Sequence, residues 1–313
     1  MKYLEFVNQL LKQEVSKYDE LVLFGQNISA GSCLGGLTRN LKVKENSKVI
    51  NSTNSENSLC GLGFGLLIGG VNSILFMKQL DFLLLGIDHL VNTFNIIRNI
   101  NEFKSKSSFT IMPIIVDNGF QGPQSSLNNL SDFCSIARIP GFTITNKIDA
   151  EKIISSELVK PGFRIICPSQ RLFQEEIIEP GKLEYVNKEN TVFQYSAGTD
   201  VTIVCFNLSF SYGFELSSRL SKKKKFASLF TINSPICNDW SKIIDNLKIT
   251  KKLIVFEDSK SINTIDSSFI NDVMEFCKLD KKIIVKREIG EHWLNPTSDE
   301  IPIKYDEIIN QIL

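Results

Sequence analysis

Short apolar runs alternate with amphipathic stretches along most of the chain. Leu4, Val7 and Leu11 recur at helical spacing, and Leu21-Val22-Leu23-Phe24 follows as an apolar run stopped by Gly25. Lys48-Val49-Ile50 is a second strand candidate, and a glycine-rich helix leads from it to the run Ile74-Leu75-Phe76-Met77. Ile87, Leu90, Val91, Phe94 and Ile97 predict a further helix, and Met112 to Val116 a third clear strand. Phe142 to Thr145 and Phe163 to Cys167 read as strands flanking a helix near 149–158. Strands without a polar face, alternating with helices, predict a mostly parallel sheet covered on both sides.

From Glu179 to Thr199 the periodicity dissolves into Pro180-Gly181, mixed charges and Ala197-Gly198. It then restarts, with strands expected at Val201–Phe206, Phe226–Ile232, Leu253–Phe256 and Ile283–Val285. Helices are expected between them, near 211–221, 239–249 and 266–278. The expected organisation is α/β throughout: a domain over 1–180, a linker at 181–197 and a second domain over 198–313.

Leu59 to Met77 is uncharged and long enough to invite a membrane-span reading. Its clustered glycines and Asn72-Ser73 instead predict helix, turn and strand. Gly61, Gly65 and Gly69 fall on one helical face, where a second backbone is expected to approach closely.

Composition narrows the classes. Lys plus Arg and Asp plus Glu both total 35, so the formal net charge is zero and no global pull on nucleic acid or anionic membrane is expected. Lys222 to Lys225 is a local exception, read as a solvated helix C-terminus with phosphate binding as the alternative. Seven cysteines occur singly, without a Cys-x-x-Cys pair, against a disulfide framework or structural zinc. With no secretory pattern over Met1 to Glu20, the expected location is cytoplasmic. Only His89 and His292 are present, so three-histidine chemistry is excluded.

One ordered series of motifs carries a family resemblance. It runs from Asn51 through Ser55-Glu56 and the glycines to Gly70, then through Phe76-Met77-Lys78-Gln79-Leu80-Asp81-Phe82 and Ile87-Asp88-His89-Leu90-Val91-Asn92. It continues with Gly122-Pro123-Gln124, Ile139-Pro140-Gly141-Phe142, Arg171-Leu172-Phe173, Asp200 to Val204 and Thr250 to Asp258. In order and spacing the chain resembles the thiamine-diphosphate-dependent, transketolase-like superfamily. It is most similar there to the beta subunit of the decarboxylating component of pyruvate and other 2-oxoacid dehydrogenases.

The resemblance implies a pyrimidine-binding domain followed by a transketolase C-terminal-like domain. It implies that Glu56 meets the cofactor's pyrimidine nitrogen and promotes its imino tautomer, with Ser55 beside it and Phe82 stacked on the ring. Gln124 and Ser125 are implied to face the reacting end. Positioned proton transfer of this kind contributes typically ~10²–10⁴-fold. Taken alone, Glu56 reads as an acid favoured in a first helical turn, Phe82 as one of 22 phenylalanines in a core, and His89 as a packed or interface residue.

Three departures shape the functional expectation. Gln26-Asn27 stand where the family commonly has acids, and Ser125, which cannot titrate near neutrality, stands where it has a loop histidine. No Gly-Asp-Gly motif for diphosphate and Mg²⁺ occurs, so the chain itself is expected to hold no metal. The expectation is a beta-type subunit that cleaves a 2-oxoacid or ketose beside its carbonyl and passes the fragment to an acceptor. An alpha-type partner bearing Gly-Asp-Gly would hold the Mg²⁺, within a heterotetramer and with neither nucleic acid nor membrane as partner. Half of a split transketolase and a non-catalytic assembly subunit are the alternatives.

Overall fold

The structure is a computed structural model and describes residues 1–99, 106–118, 128–262, 264–287 and 300–312. Six strands form the first sheet: β1 (Leu21–Gly25), β2 (Lys48–Asn51), β3 (Asn72–Met77), β4 (Ser108–Pro113), β5 (Gly141–Thr143) and β6 (Gly162–Cys167). All neighbours pair in parallel, in the order β2-β1-β3-β4-β6-β5. Position in the sheet accounts for the sequence pattern: every residue of central β4 is buried, whereas edge strand β2 is mostly exposed.

Helices α1 (Tyr3–Val15), α2 (Glu56–Ile68), α3 (Phe94–Asn99), α4 (Leu130–Ala137) and α5 (Lys147–Glu157) cover this sheet. Tyr3, Val7 and Leu11 of α1 share one apolar cluster with Ala150, Ile153 and Ile154 of α5. On the opposite face Cys60, Phe64 and Leu67 of α2 join Ile97 of α3 and Phe133 of α4.

The segment 59–77 is helix, turn and strand, as its glycines predict. No single helix among the described residues is long and apolar enough to cross a membrane; only the pair Leu80–Gly86 and His89–Asn99, bent by 69°, passes by length and composition. No second backbone lies against Gly61, Gly65 and Gly69: Gly65 faces open space and Gly61 meets the His89 ring. The crowded position is Gly63, where a Cβ would lie 2.1 Å from the Phe109 ring. Phe109 on β4 fills the place that a side chain at 63 would need.

The stretch expected as one helix through Ile87 and Ile97 is composite. A 3₁₀ segment (Leu80–Gly86) passes into a π turn (His89–Thr93) before α3. Within the π turn His89 Nδ1 and Thr93 Oγ1 lie 2.9 Å apart, a side-chain link across the widened coil.

The second sheet comprises β7 (Tyr185–Val186), β8 (Val192–Ser196), β9 (Val201–Phe206), β10 (Ala227–Ile232), β11 (Lys252–Glu257) and β12 (Lys281–Lys286). Its order is β12-β11-β9-β10-β8-β7; β12, β11, β9 and β10 run parallel, and β8 and β7 add antiparallel pairings. Helices α6 (Phe210–Lys222), α7 (Ser241–Thr250), α8 (Ile265–Phe276) and α9 (Tyr305–Ile312) accompany it. The expected linker at 181–197 is therefore part of the second sheet. Val192, Phe193 and Tyr195 are buried there, and β8 satisfies the backbone groups along one side of β10.

The two halves also share a core. One apolar cluster contains Tyr3, Phe142 and Ile144 from the first half with Phe193, Ile203, Phe210 and Phe256 from the second. A separate cluster beneath α7 and α8, with Trp240, Leu247 and Phe269, closes the far face of the second sheet.

Candidate functional site

Chain order in the first sheet reverses between β1 and β3, and the crevice outside the carboxyl ends of such strands is where open α/β sheets bind ligands. Three connections leave that edge close together. The turn after β2 delivers Ser55 and Glu56 at the start of α2, the 3₁₀ segment after β3 carries Phe82, and the chain after β4 runs to Asp117.

Glu56 is half-buried in the first helical turn, and its carboxylate makes no hydrogen bond or ion pair among the described residues. An acid there faces the positive end of the helix dipole. Ser55 occupies the N-cap position but donates its hydroxyl to Ser58 Oγ at 2.8 Å, leaving the first backbone amides without a side-chain cap. One turn on, burial and then the nearby Glu56 charge push the Cys60 thiol up to about 12, so it is an inert packing group.

Phe82 is half-buried against the cluster containing Phe24, Phe64 and Leu75. Its segment reaches α2 because Gly86 has no side chain: a Cβ there would lie 2.5 Å from Cys60 Sγ and 3.3 Å from the Glu56 carbonyl oxygen. The structure thus brings Ser55, Glu56 and the Phe82 segment to one edge. Gln124 and Ser125 lie outside the described residues. Gln26 and Asn27 follow β1 on the same edge, with Asn27 in the left-handed region at φ 55°. The Gly25 carbonyl accepts Ser52 N at 3.0 Å, tying that turn to the strand-end loop that precedes Glu56.

A buried polar network beside this edge was not foreseen. Arg171 Nη2 donates to Asp258 at 2.8 Å, and its Nε lies 3.6 Å from Asp117 Oδ2. Asp117 also accepts Ser169 Oγ at 2.6 Å and Arg171 N at 2.9 Å. Burial pushes the Asp117 carboxyl up to about 6, with Arg171 and Ser169 holding it from rising further. Burial opposes the Arg171 charge, but Asp258 and Asp117 outweigh it and keep the guanidinium charged. Asn128 donates to the Asp258 carbonyl at 3.0 Å, and Asn207 to the Asp258 carboxylate at 2.9 Å. The signal for these acids was their place directly after apolar runs, in Ile114-Ile115-Val116-Asp117 and Val255-Phe256-Glu257-Asp258.

The residues suit the pyrimidine end of a thiamine-type cofactor. A carboxyl group without another partner can share a proton with a ring nitrogen, and an aromatic side chain nearby can cover a ring face. Among the described residues no three His, Cys, Asp or Glu gather as metal ligands.

No family model matches the chain. It is 21% identical over 279 residues to the mitochondrial pyruvate dehydrogenase E1 component subunit beta of Dictyostelium discoideum, covering 86% of this chain and 77% of that protein. It is 19% identical over 268 residues to the acetoin:2,6-dichlorophenolindophenol oxidoreductase subunit beta of Cupriavidus necator, covering 81% and 78%. Among solved structures, a split-gene transketolase described as an inactive beta4 tetramer superposes with TM-score 0.66 at 15% identity, over 98% of this chain and 95% of that one. In fold the chain is similar to that split transketolase, and in distant sequence likeness over most of its length it is similar to these beta subunits.

Proposed function

We propose that this chain is the beta-type half of a thiamine-diphosphate-dependent enzyme that cleaves a 2-oxoacid or ketose beside its carbonyl and hands the fragment to an acceptor. The observation that carries the reading is Glu56: half-buried, unpaired among the described residues, and set at the carboxyl edge beside the Phe82 segment.

When bound, thiamine diphosphate supplies a nucleophilic carbon and an electron sink for cleavage next to a carbonyl. Glu56 holds and returns a proton at its carboxyl against the pyrimidine nitrogen, and Phe82 covers the ring while Ser55 borders it. Gln124 and Ser125, outside the described residues, are assigned to the reacting end by the family resemblance alone. An alpha-type partner with a Gly-Asp-Gly motif, which this sequence does not contain, supplies the ligands for Mg²⁺ and diphosphate. Leu62, Ile68, Leu84 and Leu85, between 47% and 64% exposed, support burial of this face in a larger assembly. Seven free cysteines, six of them buried, accord with a reducing, cytoplasmic setting.

The test is co-expression with a chain carrying Gly-Asp-Gly, followed by calorimetric titration with thiamine diphosphate and Mg²⁺. Saturable binding by the complex, and none by this chain alone, is expected. A stable complex that binds no cofactor would leave only an assembly role, a reading favoured by Gln26 and Asn27. Turnover of ketose phosphates but not 2-oxoacids would favour half of a split transketolase, the alternative whose name the structural neighbour shares.

A further inference from the structure

The amino edge of the second sheet, remote from Glu56, carries a concentration of charge that nothing so far uses. Three successive helix-to-strand turns end there: 222–226 between α6 and β10, 248–252 between α7 and β11, and 278–282 between α8 and β12. They contain ten lysines (222, 223, 224, 225, 248, 251, 252, 278, 281 and 282) and one acid, Asp280, in a chain whose formal charge is zero. A lysine closing each helix is accounted for by the helix dipole; ten are not.

The lysines are not neutralised locally. Among the described residues, ion pairs form at Lys225 with Asp200, at 3.1 Å, and at Lys248 with Asp245, at 3.5 Å, and Lys252 also acts on the Asp200 charge; the other seven have no carboxylate partner. Lys252 and Lys281 are register neighbours on parallel strands, a like-charge pairing that works against the sheet. Lys252 relieves it in part by donating to the Ile312 carbonyl at 2.6 Å.

Apolar side chains stand among the charges. Phe226 and Ile249 are 58% and 64% exposed within two of the turns. Beside the third, Met274, Phe276, Cys277 and Leu279 line an open groove of about 530 Å³ edged by Lys278, Lys282 and the single acid Glu275. Arginine, the residue of bidentate phosphate recognition, is absent from all three turns.

We infer that this edge is a docking surface for an acidic, amphipathic protein segment, its apolar side chains seated in the Met274–Leu279 groove and its carboxylates on the surrounding lysines. Charge complementarity selects an anionic partner. The concave groove selects a protein segment over a lipid surface, because a flat headgroup plane does not fill a recess, whereas an apolar helix face does.

The test uses the purified full chain and a fluorescent helical peptide of Leu and Glu at helical spacing. A Gln-for-Glu peptide, poly-L-glutamate and phosphatidylserine vesicles serve as comparators. Saturable binding of the Leu/Glu peptide is expected, weakening as salt rises. The triple variant Lys278→Gln, Lys281→Gln, Lys282→Gln should bind it at least ~10-fold more weakly. Met274→Ser with Phe276→Ser should weaken the peptide but leave poly-L-glutamate unchanged. No peptide binding at low salt, equal binding of the Gln peptide, or capture of vesicles without the peptide would overturn the inference.

Discussion

Arg171 and Asp258 form a buried ion pair, Nη2 to carboxylate 2.8 Å, that joins the carboxyl edge of the first sheet to that of the second. Removing one partner strands the other charge out of water. Asp258→Ala should therefore cost about 3–5 kcal/mol of stability, whereas Arg171→Met with Asp258→Leu should cost clearly less than the sum of the single changes. Urea unfolding of Asp258→Ala, of the double variant and of its two single changes, Arg171→Met and Asp258→Leu, checks this.

Glu56→Gln keeps shape and polarity and removes the exchangeable acid. In a loaded alpha–beta complex, turnover should fall at least ~10²-fold with the unfolding midpoint unchanged. Steady-state kinetics beside a melting curve separates loss of chemistry from loss of fold, and unaltered turnover would remove the role given to this side chain.

Gly63 and Gly65 lie two residues apart on α2 and should respond with opposite sign. Gly63→Ala drives a methyl into the Phe109 ring and should destabilise by about 1–3 kcal/mol. Gly65→Ala enters open space and should stabilise by up to about 1 kcal/mol, because alanine is the better helix former. Differential scanning calorimetry of the two variants decides it.

Asp149 gives the chain a pH signature. Burial pushes its carboxyl up to about 6 from an ordinary 3.8, although Thr145, Asn146 and Asn233 all donate to it. Below the ordinary value both folded and unfolded chains hold the proton. As pH rises towards about 6 the unfolded chain releases it first, so stability from this group falls, by about 3 kcal/mol in all. Asp149→Asn should lack that loss, and its stability relative to the parent should rise between about pH 4 and pH 7 in parallel urea titrations.

Much of the fold was legible because central parallel strands are buried on both faces and leave unbroken apolar runs, as at Val201–Phe206. β8 was not, because Val192-Phe193-Gln194-Tyr195 is short and lies between charged turns, and only pairing with β10 and burial of Phe193 define it. The π turn at His89 was hidden for a similar reason: its apolar spacing fits an ordinary helix. At the site, the motif order pointed to Glu56 and Phe82. The Arg171, Asp117 and Asp258 network was invisible because its members are 54 and 87 residues apart in the chain: pairing of β4 with β6 brings Asp117 to Arg171, and the docking of the two sheets brings Asp258 to both.

The apolar cluster running from Tyr3 through Phe142 to Phe193 and Phe256 belongs to neither half alone. Its consequence is evolutionary as well as mechanical. A recombination that replaced one half with a relative's would have to match both sides of this seam at once, so the halves are free to vary at their outer rims but are inherited as a single piece along their joint.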